Sequence, residues 1–152
     1  MVIIQDTREK EPFNFVFYGY ETSVATLKTG DYTIEGYEDV LSIERKKSPS
    51  ELASNLGKYR ERFENELERM VAFKYKYIVC EFNEDQLRGF PHNAKIPKRI
   101  KKYIRMNEKY MRKKLHEYEE TYGVEVIFCN GREDAQERVM QIFLEVVEKN
   151  EK

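Results

Sequence analysis

Apolar residues follow two different periods along the chain, and these periods predict both strands and helices. Short apolar or alternating runs predict six strands, at residues 2–5, 21–27, 32–35, 40–46, 76–82 and 124–129. Residues 13–18 also alternate, with phenylalanine at every second position, but Pro12 makes the start of this run irregular. We therefore expect either a strand or an extended loop at residues 13–18.

Helical spacing begins at a clear start signal. Ser48, Pro49 and Glu51 match a capping box with proline at the first helical position. Apolar residues then recur three and four positions apart and predict one helical face, formed by Leu52, Leu56, Tyr59, Phe63, Leu67 and Met70. A second long helix is predicted at residues 98–122 and a final helix at residues 133–148.

The order of these elements indicates the fold class. Antiparallel-looking strands come first, and strands then alternate with helices, which is typical of an α/β domain with a mixed central sheet flanked by helices. A length of 152 residues suits one domain, and no internal repeat or linker divides the sequence. We therefore expect a single domain over residues 1–152.

Composition narrows the class of protein further. Charged residues make up 36% of the chain, no apolar run approaches the roughly 18 residues of a membrane span, and the N-terminus lacks the basic region of a signal peptide. We therefore expect a cytoplasmic protein with no membrane partner.

Cys80 and Cys129 lie in apolar runs and are predicted to be buried thiols. The isolated His92 and His116 argue against a zinc site.

Positive charge is concentrated in one segment, although the net charge of the chain is −1. Residues 95–114 contain ten lysines and arginines and one acid, Glu108, so the segment carries ten minus one, or +9. Such an excess attracts phosphate, while a solvated helix face is the open alternative. Tyr103 and Tyr110 are interpreted as helix-core aromatics rather than base-stacking groups. The candidate DNA contacts in this segment are Lys98, Arg99, Lys101, Lys102, Arg105 and Lys113.

Two short motifs carry residues suited to metal chemistry. Gly30-Asp31-Tyr32 opens one predicted strand, and Glu44-Arg45-Lys46 ends the next. Because residues two apart on a strand share a face, Glu44 and Lys46 point the same way and Arg45 points the opposite way. Magnesium needs only one or two carboxylates besides substrate phosphate, and Asp31 and Glu44 are candidates for these ligands. Lys46 would orient the attacking water or neutralise charge on phosphorus.

Asp6 and Arg8 lie near the end of the first predicted strand, where residues two apart again share a face. Arg8 has a fork geometry that suits a phosphate oxygen. Each motif also has an alternative interpretation: an aspartate after glycine often caps a turn, a charged triplet often protects a sheet edge, and residues 6–9 fit a solvated loop. The order of the motifs before a capped helix favours a site for phosphodiester hydrolysis.

The ordered series of motifs resembles the XPF/Hef nucleases, a branch of the PD-(D/E)XK superfamily with a GD…ERK active-site motif. The likeness covers nearly the whole chain and implies a restriction-endonuclease-like fold. The stretches that carry it are Asp6-Thr7-Arg8-Glu9, residues 26–32, Ile43-Glu44-Arg45-Lys46, residues 54–56, 60–63 and 77–82, and the strand and helix from Val124 onward.

The resemblance also implies an activity and roles for individual residues. The implied activity is cleavage of branched or flapped DNA in repair, recombination or replication, with Mg²⁺ or Mn²⁺ and with no small-molecule cofactor. The implied residues are the metal ligands Asp31 and Glu44, the catalytic Lys46, the supporting Asp6, Arg8 and Arg45, and the candidate DNA contacts Arg45 and Arg62.

Departures from the family pattern leave some points open. The family often has an aspartate at the position of Ser50, so the neighbouring Glu51 either replaces it or only closes the capping box, which we favour. No tandem helix-hairpin-helix region is expected, as in small stand-alone versions, and a homodimer is one open assembly. A non-catalytic DNA-binding or assembly module is the alternative function, although retention of both acids and the lysine favours a nuclease.

Overall fold

A computed structural model describes residues 1–151 of the chain, which contain a six-stranded sheet. The strands are β1 (Val2–Asp6), β2 (Glu21–Ala25), β3 (Tyr32–Ile34), β4 (Leu41–Lys46), β5 (Tyr75–Cys80) and β6 (Glu125–Phe128). They lie side by side in the order β2-β1-β3-β4-β5-β6. All six predicted strands are present, with ends within two residues of the expected ones.

The sheet is mixed, as expected, but its first pair differs from the prediction. β3 is antiparallel to both β1 and β4, whereas β4, β5 and β6 are parallel. β1 and β2 also pair in parallel, with Val2 opposite Glu21. Residues 7–20 connect these two strands, and a connection of about a dozen residues or more allows a parallel crossover.

The described part of the chain contains six α-helices, and the α/β fold class is confirmed. The helices are α1 (Pro49–Leu56), α2 (Arg60–Met70), α3 (Glu84–Arg88), α4 (Lys98–Lys101), α5 (Glu108–Tyr122) and α6 (Arg132–Glu151). None of these helices is both long and apolar enough to cross a membrane. Cys80 and Cys129 are free thiols in the interior, as predicted.

The apolar face predicted over residues 52–70 is divided between two helices. α1 ends and α2 begins on either side of Gly57. A Cβ atom at Gly57 would lie 3.1 Å from the carbonyl oxygen of Ala53 and 3.2 Å from Cε of Met106. Glycine therefore lets the Met106 side chain approach the backbone where the helix stops. The prediction of one continuous face is wrong, because the apolar spacing persists through the break.

The helix predicted at residues 98–122 is also interrupted. α4 ends after one turn, and α5 begins after Asn107, whose side chain accepts a hydrogen bond from the backbone N–H of Tyr110 at 2.9 Å. Asparagine is among the best N-cap residues, so a new helix starts inside the positively charged segment. Gly123 ends α5 in the left-handed conformation, with φ of 74°.

Residues 13–18 form a loop that ends in a 3₁₀ turn at Val16–Tyr18. Phe13 and Phe15 pack on Tyr32, with ring centroids 5.4 and 5.5 Å apart respectively. Phe17, by contrast, is 78% exposed. The alternation in this run therefore reflects the packing of an extended loop and not the pairing of a strand.

Two hydrophobic cores lie on opposite faces of the sheet, and alternate side chains of β4 point toward each face. α6 and the loop that contains Phe13 cover one face, while α1, α2 and α5 cover the other. The guanidinium of Arg45 lies over the Phe13 ring, and Lys46 Nζ lies over the Phe63 ring. The alternation of the strand thus directs Glu44 and Lys46 toward α1 and α2, and Arg45 toward the opposite layer.

Candidate active site

A tight turn brings two acidic residues together at one end of the sheet. Asp31 directly precedes β3, and its backbone N–H donates to the carbonyl of Ile43 in β4 at 2.7 Å. Gly30 has a φ of 81°, and a Cβ atom there would lie 2.3 Å from Oγ of Ser42. Only glycine fits this turn without strain. The turn therefore places Asp31 beside the strand that carries Glu44.

The carboxylate of Asp31 is fixed and partly buried. Its Oδ2 accepts a hydrogen bond from the backbone N–H of Arg45 at 2.7 Å. Burial raises the pKa of Asp31 to about 7, the Arg45 hydrogen bond opposes this effect, and the nearby charge of Glu9 adds to it. A carboxyl group of this kind can exchange its proton for a cation near neutral pH.

Glu44 and Lys46 lie on the same side of β4, as their spacing predicted. Both side chains are buried, and Lys46 Nζ donates to Oε1 of Glu44 at 3.1 Å. Burial and the charge of Asp31 raise the pKa of Glu44 well above its usual value. Burial lowers the pKa of Lys46, but the charges of Glu44 and Glu51 outweigh it and raise the pKa overall. Lys46 is therefore a positive charge held beside two acids.

Asp6 and Arg8 form the neighbouring wall of the site. The Asp6 carboxylate accepts hydrogen bonds from Arg8 Nε at 2.8 Å and from the backbone N–H of Leu27 at 2.9 Å. The backbone N–H of Asp6 donates to the carbonyl of Asp31 at 2.9 Å. Asp6 thus ties the Asp31 turn to β1, while the Arg8 side chain, 69% exposed, is presented to the solvent.

These side chains line one cleft of about 440 Å³. Its lining includes four exposed cations, which are Arg8, Lys28, Arg62 and Arg69. The guanidinium of Arg62 is also held over the ring of Tyr59, 4.6 Å from its centroid. The cleft therefore combines buried acids with exposed positive groups, and Arg62, predicted as a DNA contact, lies at its edge.

Glu66 is a member of this cleft that the sequence analysis missed. It projects from α2, and its Oε1 accepts a hydrogen bond from the backbone N–H of Gly30 at 3.2 Å. Its carboxyl group also lies within hydrogen-bonding reach of Glu44 and contributes to the raised pKa of that residue. The available signal was its helical spacing from Phe63, three positions earlier on the apolar face of α2.

Arg45 lies away from the cleft, in a buried network on the other face of the sheet. Its guanidinium donates to Glu81 through Nε at 3.2 Å and Nη2 at 3.0 Å, and to Glu9 through Nη1 at 2.8 Å. The hydroxyl of Tyr32 donates to the same Glu9 carboxylate at 2.7 Å. The Arg45 side chain is 1% exposed, so it is not accessible to a DNA phosphate at the surface. Its predicted contact with DNA has no support in this arrangement, whereas its predicted support of the site fits the network.

The basic segment, residues 95–114, lies outside the acidic cleft. Lys98, Lys101 and Lys102 line a separate surface pocket with His92, and Lys101 Nζ donates to the His92 carbonyl at 2.8 Å. Arg99, Arg105 and Lys113 are exposed side chains of the same segment. The structure therefore brings the predicted DNA contacts of this segment to the surface but not into the group around Asp31.

Folding also changes the charge balance of this segment. Arg112 pairs with Glu84 at 2.9 Å as well as with Glu108, and Lys114 pairs with Glu117 at 3.1 Å. The local excess of positive charge is thus smaller than the +9 counted from the residues of the segment alone. Of its two aromatic residues, Tyr103 differs from the prediction, since it is 75% exposed and does not belong to a helix core, whereas Tyr110 packs against a core as predicted.

The structure separates the two alternatives for Glu51 left open by the sequence, because its carboxylate lies toward Lys46 and does not form the return hydrogen bond of a capping box with the Ser48 N–H. Its backbone N–H donates to Oγ of Ser48 at 3.1 Å, which is the helix cap. Its carboxylate lies 4.0 Å from Lys46 Nζ and is 39% exposed. Glu51 therefore starts α1 with its backbone and faces the site with its side chain.

The donor set fits a hard divalent cation. Oε2 of Glu44 is buried and has no hydrogen-bond partner, and Asp31 supplies a second carboxylate at the same place. No group of three or more His, Cys, Asp or Glu side chains in residues 1–151 is arranged to hold a metal ion. Magnesium keeps several of its waters and accepts one or two carboxylates, so a two-carboxylate site matches its needs.

The mixed sheet and the cluster of Asp31, Glu44 and Lys46 at its end define a restriction-endonuclease-like α/β domain. A family model described as the ERCC4 domain matches residues 5–142. The chain therefore belongs to the ERCC4 domain family, and the resemblance to XPF-type nucleases expected from the motifs is confirmed.

Two solved structures share this fold. One is XPF from Aeropyrum pernix, with 20% sequence identity and a TM-score of 0.59 over 84% of this chain and 53% of that one. The other is XPF from Aeropyrum pernix in complex with DNA, with 16% identity and a TM-score of 0.68 over 97% of this chain and 66% of that one. This chain thus spans between half and two thirds of the length of those structures. A comparison with curated proteins gave no match.

Proposed function

We propose that this protein is a Mg²⁺- or Mn²⁺-dependent endonuclease that hydrolyses phosphodiester bonds in branched, flapped or otherwise irregular DNA. The observation that carries the proposal is the set of Asp31, Glu44 and Lys46 in one open cleft, with a buried oxygen of Glu44 that lacks a donor. Membership of the ERCC4 domain family supports the reaction class. The complex of XPF from Aeropyrum pernix with DNA supports the substrate class.

In this proposal Asp31 and Glu44 hold the cation through carboxylate oxygens. Held there, a divalent ion would supply Lewis-acid polarisation of the phosphate and a water of lowered pKa. Lys46 stays protonated beside Glu44 and stabilises the negative charge that develops on the phosphate oxygens. Asp6 keeps the Asp31 turn in place through backbone and side-chain hydrogen bonds.

Exposed cations would hold the DNA backbone near these groups. Arg8, Arg62 and Arg69 line the cleft with Lys28 and present positive charge to solvent. Phosphate contacts of this kind position DNA without reading its sequence. The more distant lysines of the basic segment would extend the bound length of DNA, and we therefore expect a preference for DNA structure rather than for sequence.

The test is a cleavage assay on duplex, single-stranded, flap and junction DNA in Mg²⁺ or Mn²⁺. The wild type is expected to cut at least one substrate, and Asp31→Asn and Lys46→Ala are expected to lose at least about 100-fold in rate, as for loss of a group that stabilises transition-state charge. Glu68→Gln, an exposed change on α2 outside the cleft, is the control and retains activity.

Equal cleavage by all four proteins would mean that the site is misplaced. Binding of DNA by the wild type without cleavage of any substrate would instead favour a non-catalytic DNA-binding module that keeps the nuclease fold. The intact set of two acids and a lysine is the reason that we place the nuclease first.

A further inference from the structure

Two buried side-chain atoms in residues 1–151 have no hydrogen-bond partner, and both belong to residues of the same cleft. They are Oε2 of Glu44 and Oδ1 of Asn55. Buried polar atoms are normally paired, and each exception needs an explanation. Both atoms are acceptors, so a ligand that satisfies them must bring donors or positive charge.

Glu66 adds a third acceptor to this place. Its Oε1 is engaged by the backbone N–H of Gly30 at 3.2 Å, and its carboxyl group lies beside that of Glu44. With a cation bound to it, Glu44 is a carboxylate that can only accept hydrogen bonds, so it offers no donor to Glu66 beside it. Lys46 Nζ lies at the other oxygen of Glu44, at 3.1 Å, so this cation does not fill the gap.

The two added residues come from different helices. Asn55 lies on α1 and Glu66 on α2, and both face the strand that carries Glu44. Since no group of three acids among residues 1–151 is arranged to ligate a metal directly, the pattern does not fit a third direct ligand. It fits acceptors for the O–H groups of water molecules on a cation, because such waters are strong donors and are polarised by the ion.

We propose that Glu66 and Asn55 are further residues of the site, and that their side-chain oxygens accept hydrogen bonds from the water shell of the divalent cation held by Asp31 and Glu44. This inference rests on the proposed function. In this arrangement the metal ligands come from the strands, and α1 and α2 supply the groups that orient the water molecules on the cation. Both are positioning residues, since they act through the hydrated ion.

The test measures Mn²⁺ binding directly, by the loss of the electron paramagnetic resonance signal of the free ion. Glu66→Gln keeps an acceptor for the Gly30 N–H but introduces an N–H₂ donor that can pair with Oε2 of Glu44. The expected result is a weakening of Mn²⁺ binding by about 10-fold to 100-fold, typical for loss of groups that support metal ligands. Glu68→Gln makes the same charge change on the exposed side of α2 and is expected to bind like the wild type.

The stability of the metal-free variants separates this role from a merely structural one. Glu66→Gln is expected to unfold at the same temperature as the wild type or a higher one, because the new donor satisfies Glu44. Weaker Mn²⁺ binding together with a lower unfolding temperature would reduce Glu66 to a support of the Gly30 turn and would overturn the proposal. Unchanged Mn²⁺ binding would overturn it as well.

Asn55 provides an independent test of the proposal. Asn55→Leu removes the acceptor and is expected to weaken Mn²⁺ binding by about 10-fold, whereas Asn55→Asp keeps an acceptor and binds at least as tightly as the wild type. Equal binding by the leucine variant and the wild type would contradict the role of Asn55. If the wild type itself binds no Mn²⁺, the proposed function fails, and the inference fails with it; if only the variants behave unexpectedly, the proposed function still stands.

Discussion

The backbone N–H of Arg45 donates a hydrogen bond to Oδ2 of Asp31 across 2.7 Å, while the side chain of Arg45 is buried on the opposite face of the sheet. Arg45 therefore contacts the site through its backbone, while its guanidinium packs in the hydrophobic core on the opposite face of the sheet. The N–H that binds the Asp31 carboxylate thus belongs to a residue whose side chain is held by Glu9 and Glu81. Arg45 therefore has a structural role, whereas an exposed arginine of the cleft, such as Arg62, is a candidate for contact with DNA.

Replacing Arg45 is expected to unfold the protein rather than to weaken its contact with DNA. Arg45→Met leaves the carboxylates of Glu9 and Glu81 buried without their partner, and breaking a buried ion pair costs about 3–5 kcal/mol. Urea unfolding measures this loss. Arg62→Ala, an exposed change at the cleft, should shift stability by less than about 0.5 kcal/mol but lower DNA affinity. A stable Arg45→Met protein with weak DNA binding would restore Arg45 as a DNA contact.

Metal affinity is expected to fall as the pH drops below about 7. The pKa of Asp31 is raised to about 7, so below that pH a cation must displace a proton from this carboxyl group. Linkage then predicts a loss of about tenfold in Mn²⁺ affinity per pH unit for each proton displaced. Titrations of Mn²⁺ between pH 5.5 and 8.5 would measure this slope, and a flat profile would show that Asp31 is not a ligand.

Asp31→Asn is expected to stabilise the metal-free protein at alkaline pH. The pKa of Asp31 is raised from its usual 3.8 to about 7, so the folded state binds more protons than the unfolded state in that interval, and the free energy of unfolding falls as the pH rises through it. Solvent in the cleft screens part of the effect, and we expect a gain of about 1–2 kcal/mol at pH 8.

The same substitution should have little effect on stability near pH 4, where Asp31 is protonated in the folded protein. Urea unfolding at both pH values gives the comparison. Asp39→Asn, an exposed change on the β3–β4 connection, is the matched control and should be neutral at both. A loss of stability at pH 8 would mean that the Asp31 carboxylate is better satisfied than its burial indicates.

The basic segment is expected to set the salt dependence of DNA binding. Exchanging Lys101, Lys102 and Lys113 for glutamine should reduce the slope of log affinity against log salt by roughly 2 to 3, since each duplex phosphate contact contributes about 0.9. Arg112→Gln is the matched control, because Arg112 is already paired with Glu84 and Glu108. An unchanged slope in the triple variant would identify this segment as a solvated surface.

The sequence predicted what local periodicity can encode. The shared face of Glu44 and Lys46 follows from the two-residue period of a strand, and the proximity of Asp31 follows from the short connection between neighbouring strands. The cap at Ser48 was visible because all of its partners lie within three residues. In each case the contacts that fix the feature join residues near in the chain or in adjacent strands.

Other features depend on contacts between distant parts of the chain. Arg45 meets Glu9 and Glu81, each 36 residues away, and nothing in the motif itself shows that its side chain is buried. Glu66 meets Gly30 across the same separation. The apolar spacing of residues 52–70 continued through the break at Gly57, where the side chain of the distant Met106 approaches the backbone. The sequence does not show such pairings, because they form only when the helices and the sheet pack together.

The break at Gly57 has a geometric consequence for the cleft. In one continuous helix, Asn55 and Glu66 would be separated by 11 residues and thus by about 16 Å along the axis, at a rise of about 1.5 Å per residue. By ending one helix and starting another, the chain brings Asn55 of α1 and Glu66 of α2 to the lining of the same cleft of about 440 Å³. The break at Gly57 therefore lets two separate helices contribute side chains to one cleft.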